Sequence, residues 1–356
     1  MLSPEAIQNL IVTIEMCYMI PSTLLYFVIL FIMFVRKSRK NFQTSFYYIF
    51  AFSAFNNMAF NWLYYFFMRL MAATMYNKFF SQFVGKPNFL YTFFYMIYFN
   101  CSFAHCMLDC LLSFNRFSVL MLTTNYKFFW RRYLRYFIIL IFLLPFIFNW
   151  HYLVNTVVVI SFEAPYGMAY PAITNFSSIA WIDSTRSGTI VYSVCTIASF
   201  LMNLYVSYHV FYKRTVSSND KEQNSQNRKM LIYSLCVFFT EFLCFLTQAI
   251  PAISANQTLT NIIWRYQFIF YDTSACMPPW FMVFTNSKLR LELIELITVT
   301  GYDRGAVSSV KGTISSVVPV NVGTTKHHEV KPINQSHIII SGLSFAHSTV
   351  TPARIA

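Results

Sequence analysis

Apolar residues run along the chain in seven long stretches separated by short polar ones. They fall at roughly 11–35, 45–68, 88–119, 134–158, 188–212, 230–252 and 262–285. A helix needs about 20 mainly apolar residues to cross hydrocarbon, so the pattern predicts seven membrane-spanning helices. Pro21, Pro145, Pro251 and the Pro278-Pro279 pair sit in or beside them, where proline kinks a span without ending it. After the seventh stretch, Leu289, Leu291, Leu293, Ile294, Leu296 and Ile297 interleave with Lys288, Arg290, Glu292 and Glu295. That pattern predicts a short amphipathic helix lying along the membrane surface. From 303 the chain turns to Ser, Thr, Val and Gly without helical periodicity, which predicts a disordered tail. The expected organisation is an all-α seven-span domain with its surface helix over 1–302, and a tail over 303–356.

Composition narrows the class. Of 356 residues, 56% are hydrophobic and only 11% charged, against about 25% charged in soluble domains. The mean hydropathy of +0.48 agrees with a polytopic membrane protein. A net charge of +13 raises nucleic acid as a partner, but the basic residues are scattered over short connections without a recognition motif, and no nucleic-acid role is expected. All eight cysteines lie in apolar stretches, so no disulfide framework and no zinc or redox CxxC pair is implied. The first apolar segment lacks a small-residue cleavage site and reads as a retained helix.

Charge sets the orientation. Connections 36–44, 116–135, 213–229 and the tail hold 21 of the 26 Lys and Arg residues. Under the positive-inside rule these are cytoplasmic and the N-terminus is outside. The sequons at Asn175 and Asn256 then fall in outer loops and are candidate glycosylation sites.

Polar residues form lines inside the apolar runs. In span three Ser102, His105, Asp109, Ser113 and Arg116 are separated by 3, 4, 4 and 3 residues, which places them on one helical face. Asp109 lies about 10 Å deeper than Arg116. Buried polar groups of this kind face the bundle interior and find partners. One reading is a structural network that fixes helix packing; the other is a ligand-linked signalling line. Glu241 in span six and Asp272 in span seven belong to the same polar set. Glu15, Asn61, His151 and Arg265 lie in the outer halves and are candidates for a ligand pocket by depth alone. His105 and Asp109 form an HxxxD pair, yet no second ligand cluster, HExxH or CxxC accompanies it, so neither catalysis nor a metal or other cofactor is expected. A transporter would show internal repeats, and none is visible over 1–285. A seven-span ligand-gated channel of the insect odorant type would have its N-terminus inside, opposite to the charge count.

Several motifs resemble nematode serpentine chemoreceptors of the Srg superfamily, with class gamma the first choice and class V the second. They are YMIPSTLLYFVIL (18–30), SFNRFSVL (113–120) followed by NYKFFWRRYL (125–134), PFIFNWHYL (145–153) and MPPWFMVFTNSKLR (277–290). The resemblance implies a G-protein-coupled-receptor-like bundle in the plasma membrane, and in sensory cilia for many members. The implied partners are a small-molecule ligand, a heterotrimeric G protein on the cytoplasmic face, and membrane lipids. Arg116 corresponds to the arginine of the Asp-Arg-Tyr motif of rhodopsin-like receptors, which makes Arg116, Asn115 and Asp109 the candidate signalling switch. Here Asn115 replaces the acidic residue and Phe117 the tyrosine. Span seven lacks Asn-Pro-x-x-Tyr, and residues 155–187 contain no cysteine for the usual outer disulfide.

Overall fold

A computed structural model describes residues 4–36, 42–154, 157–161, 169–173, 184–210, 221–254 and 256–299. Its frame is helical: α1 (Pro4–Phe34), α2 (Ser45–Tyr64), a short α3 (Asn77–Phe80), α4 (Phe89–Leu122), α5 (Tyr126–Asn149), a short α6 (His151–Val154), α7 (Ser184–Tyr208), α8 (Lys221–Ile253), α9 (Gln257–Cys276), α10 (Pro278–Thr285) and α11 (Ser287–Val299). The predicted tail, 303–356, lies outside the described residues.

Five helical segments are long and apolar enough to cross a membrane: Asn9–Phe34, Phe89–Leu122, Tyr126–Asn149, Ser187–Tyr208 and Arg228–Pro251. The other two predicted spans are helical but more polar or broken. In α2 the three asparagines Asn56, Asn57 and Asn61 lower the hydropathy, and its end relaxes into a π-turn at Tyr65–Arg69. The seventh stretch is split at Met277, where Pro278 and Pro279 open α10. Proline lacks the N–H that would continue the α9 ladder.

The structure moves one predicted span. The fourth stretch was expected over 134–158, but α5 runs Tyr126–Asn149. The apolar run beyond it leaves the helix, and Val157–Ser161 forms strand β1, antiparallel to β2 (Ala169–Ile173) with Val159 opposite Pro171. The β-branched VVVIS suits a strand better than a helix. Hydropathy is blind to that distinction. Isolated bridges Val84↔Val159 and Pro87↔Val158 tie the segment before α4 to β1, and Gly85 N–H donates to the Val159 carbonyl at 2.9 Å.

Helix α4 is the axis of the bundle. Its apolar window is 67% buried, against 22% for α5 and 28% for α7, and it packs on α2, α5, α7 and α8. Asn88 caps its start by accepting from Leu90 N–H, a contact worth about 1 kcal/mol. The largest core lies towards the α11 end and includes Ile29, Phe50, Leu108, Tyr233, Met282 and Leu289. A second core, rich in rings, includes Phe60, Tyr64, Tyr98, Tyr192, Phe268 and Tyr271. Outer faces expose Leu140, Leu143, Ile147, Leu201 and Leu204, as side chains against lipid would be.

Helix α11 is pinned to the end of α1. Arg36 reaches Glu292 at 3.0 Å and Glu295 at 3.2 Å, and its Nη1 also donates to the Glu292 carbonyl at 2.6 Å. These groups are partly exposed, so the ion pairs are worth about 1 kcal/mol or less. Arg36→Ala should raise amide exchange across Ser287–Val299 severalfold while leaving the unfolding midpoint nearly unchanged. Unaltered exchange in α11 would show that the buried Leu289 alone holds it.

Candidate functional site

The polar line of α4 connects five other helices. His105 is 1% exposed and joins α2 to α9. Its Nδ1 lies 2.7 Å from Asn57 Oδ1 and its Nε2 2.7 Å from Ser274 Oγ. Asn57 Nδ2 donates to Tyr26 Oη at 3.1 Å, so Asn57 Oδ1 is the acceptor towards the ring and Nδ1 carries the proton. This leaves the Nε2 of a neutral ring to accept from Ser274. Tyr26 Oη in turn donates to the Ala275 carbonyl at 2.9 Å. Helices α1, α2, α4 and α9 thus meet at one imidazole.

Ser102 and Ser113 face α7. Ser102 Oγ lies 2.9 Å from Tyr192 Oη. Ser113 Oγ accepts from Asn203 Nδ2 at 3.0 Å, and Asn203 Oδ1 accepts from Ser234 of α8 at 2.9 Å. Asp109 stands between these contacts. Its Oδ2 is 3.7 Å from His105 Nε2, too far for a hydrogen bond, and among the described residues neither oxygen has a hydrogen-bond donor. Glu241 Oε1 accepts from Cys106 Sγ at 3.4 Å, while its Oε2 has no described donor.

At the other end of the line, Asn115 is fully buried. Its Nδ2 donates to Ser45 Oγ at 2.8 Å and to Tyr126 Oη at 3.1 Å, tying α4 to the starts of α2 and α5. Arg116 does not mark a helix end, since α4 continues to Leu122. Its guanidinium turns inward over the Phe46 ring at 3.9 Å, a cation–π contact. Its Nε and Nη2 are screened from solvent with no described hydrogen-bond acceptor.

The four depth-based pocket candidates do not form one group. Glu15, 3% exposed, pairs through Oε1 with Arg69 Nε at 3.2 Å. Asn61 Nδ2 points to Cys276 Sγ at 2.8 Å. His151 sits in α6, its Nδ1 2.8 Å from the Phe148 carbonyl, beside Tyr152, which packs on Tyr95 and Phe99. Arg265 is in α9, but its side chain lies outside the described residues. Asp272 joins Glu15: it accepts a hydrogen bond from Tyr18, and the two carboxylates line one seam with Tyr18, Met19, Tyr65 and Arg69. Of the sequons, Asn175 lies outside the described residues. Asn256 is exposed and caps α9, accepting from Leu259 N–H at 3.2 Å.

Arg69, Tyr18 and Tyr26 did not stand out in the sequence. Glu15, Tyr18, Ser22 and Tyr26 follow the same 3, 4, 4 spacing as the α4 line, a signal hidden because tyrosine reads as apolar. Arg69 had no such signal. Its direction depends on the π-turn Tyr65–Arg69, whose wider turn lags an α-helix and swings Arg69 towards α1. There it covers the Phe268 ring at 3.4 Å.

Comparison with known proteins shows the family. The model of the Srg family of chemoreceptors matches residues 12–293. The chain is also similar to serpentine receptor class gamma-11 of Caenorhabditis elegans, at 21% identity over 277 residues, covering 78% of this chain and 79% of that protein.

Proposed function

Because this chain belongs to the Srg family of chemoreceptors, we propose that it is a chemosensory receptor of the plasma membrane, sited in sensory cilia, that detects a small molecule and couples to a heterotrimeric G protein. This reading counts α2, and α9 with α10, as spans alongside the five strongly apolar helices. It puts the N-terminus outside, as the 21 basic residues gathered on the opposite side favour. Glycosylation mapping tests the orientation: Asn175 and Asn256 should carry glycans that Asn→Gln removes. Unmodified sequons in a well-expressed protein would count against it.

The observation that carries the coupling is Arg116. A guanidinium held over a ring, with buried N–H groups and no carboxylate among the described residues, can take acceptors from a cytoplasmic partner once the helices part. Ligand binding would shift the population between packed and parted states. In a heterologous G-protein assay with surface expression held equal, Arg116→Ala should reduce ligand-driven signalling at least about fivefold, the lower end of typical coupling energies. Equal signalling would remove Arg116 from the mechanism.

A further inference from the structure

The first turns of α5 concentrate positive charge. Lys127, Arg131, Arg132 and Arg135 fall within nine positions, and no Asp or Glu occurs between Asp109 and Glu163. All four basic residues are exposed. Among the described residues, no carboxylate lies within ion-pair distance of any of them. Lys127, Arg131 and Arg135 follow one another at four-residue steps, so their like charges stack on one side of the helix and repel. Lys127 also stands in the first turn, where the helix dipole favours an anion over a cation. The described residues supply no charge to balance this cluster.

The same side of α5 then turns apolar. Arg132, Arg135, Ile139, Leu143 and Phe146 are separated by 3, 4, 4 and 3 residues, which places them on one face. Ile139, Leu143 and Phe146 are exposed, while Ile138, Ile141 and Pro145 are buried against the bundle. From this continuity of charge and apolar surface we infer that the face binds a phosphatidylinositol bisphosphate. Its phosphates lie among the four basic residues and its acyl chains along Ile139, Leu143 and Phe146. A soluble polyanion would leave the apolar half unused. A phospholipid of single net charge would leave most of the basic ladder unmatched, since Lys127 and Arg135 are about 12 Å apart along the helix. A bisphosphate headgroup carries about four negative charges, and basic clusters bordering a span suit such lipids. The lipid also bears on the bundle: Lys127 adjoins Tyr126, whose hydroxyl accepts from Asn115 Nδ2 at 3.1 Å, so it braces the joint between α5 and α4. Which leaflet supplies the lipid rests on the orientation proposed above; binding itself rests on α5 crossing the bilayer.

The test uses the full chain in phosphatidylcholine nanodiscs at neutral pH. Fluorescent phosphatidylinositol bisphosphate is the probe, and its binding is read by energy transfer from the tryptophans. Phosphatidylserine at matched total charge and free inositol trisphosphate are the competitors. The probe should bind saturably, phosphatidylserine should displace it poorly, and the soluble headgroup should be much weaker than the lipid. Arg131→Gln with Arg135→Gln should weaken binding about thirtyfold, the worth of two bases at an anionic surface. Both side chains are exposed, so the fold should tolerate the change. Lys288→Gln with Arg290→Gln removes the same charge from exposed positions of α11 and should change binding less than twofold. Equal competition by phosphatidylserine, equal losses in the two double variants, or a soluble headgroup as tight as the lipid would each overturn the inference. Nanodiscs present the lipid on both faces, so a failure of the glycosylation mapping changes the leaflet and leaves the site standing. A normal glycosylation pattern without selective binding removes the site and leaves the orientation.

Discussion

Arg69→Ala is expected to destabilise the bundle by about 3–5 kcal/mol, because it strands a buried carboxylate. Glu15 is 3% exposed, and among the described residues no other cation lies within ion-pair distance of it. The same substitution strips the cover from Phe268. The paired change Glu15→Gln with Arg69→Met should be much milder, about 1 kcal/mol, since it removes both charges and keeps the volume. The measurement is the unfolding midpoint of the solubilised protein in an SDS titration for the unmodified chain, Arg69→Ala and the double variant. If Arg69→Ala and the double variant lose equal stability, the ion pair is not what holds the π-turn against α1.

His105→Ala should cost about 3 kcal/mol in the same titration. Interhelical hydrogen bonds in membranes average about 0.6 kcal/mol and reach about 1.7, and this imidazole makes two at 2.7 Å. The emptied volume adds a cavity cost of about 2 kcal/mol. His105→Gln retains a donor and an acceptor and should lose about 1 kcal/mol. Ser53→Ala serves as the reference, since Ser53 accepts from Asn57 only at 3.5 Å. A His105→Ala loss no greater than that of Ser53→Ala would show that α2, α4 and α9 are held by apolar packing alone.

The helical frame was legible because hydropathy reports long apolar runs directly. The line from Ser102 to Arg116 was legible because a single helix fixes which residues share a face. Partners across helices were not. Nothing in the sequence says that Ser113 meets Asn203 while His105 meets Asn57 and Ser274, because that depends on how far each helix is turned about its axis. Depth also failed to gather the outer candidates. Glu15 and His151 both fall in outer halves in the sequence reading, yet one pairs with Arg69 of the π-turn and the other follows α5. The π-turn that aims Arg69 and the strand made from VVVIS were hidden for a related reason: both are local departures within apolar sequence that would otherwise continue a helix.

The β1–β2 hairpin is fastened by hydrogen bonds. Residues 155–187 contain no cysteine, and β1 is fastened to the segment before α4 by the Gly85–Val159 contact and to α4 itself by Val157 N–H donating to Thr92 Oγ1 at 3.0 Å. A covalent staple would answer to reducing agents, whereas these clasps answer to heat. The opening of this hairpin is therefore set by temperature, at the modest energies of local fraying, and it should be indifferent to the redox state of the medium the receptor samples.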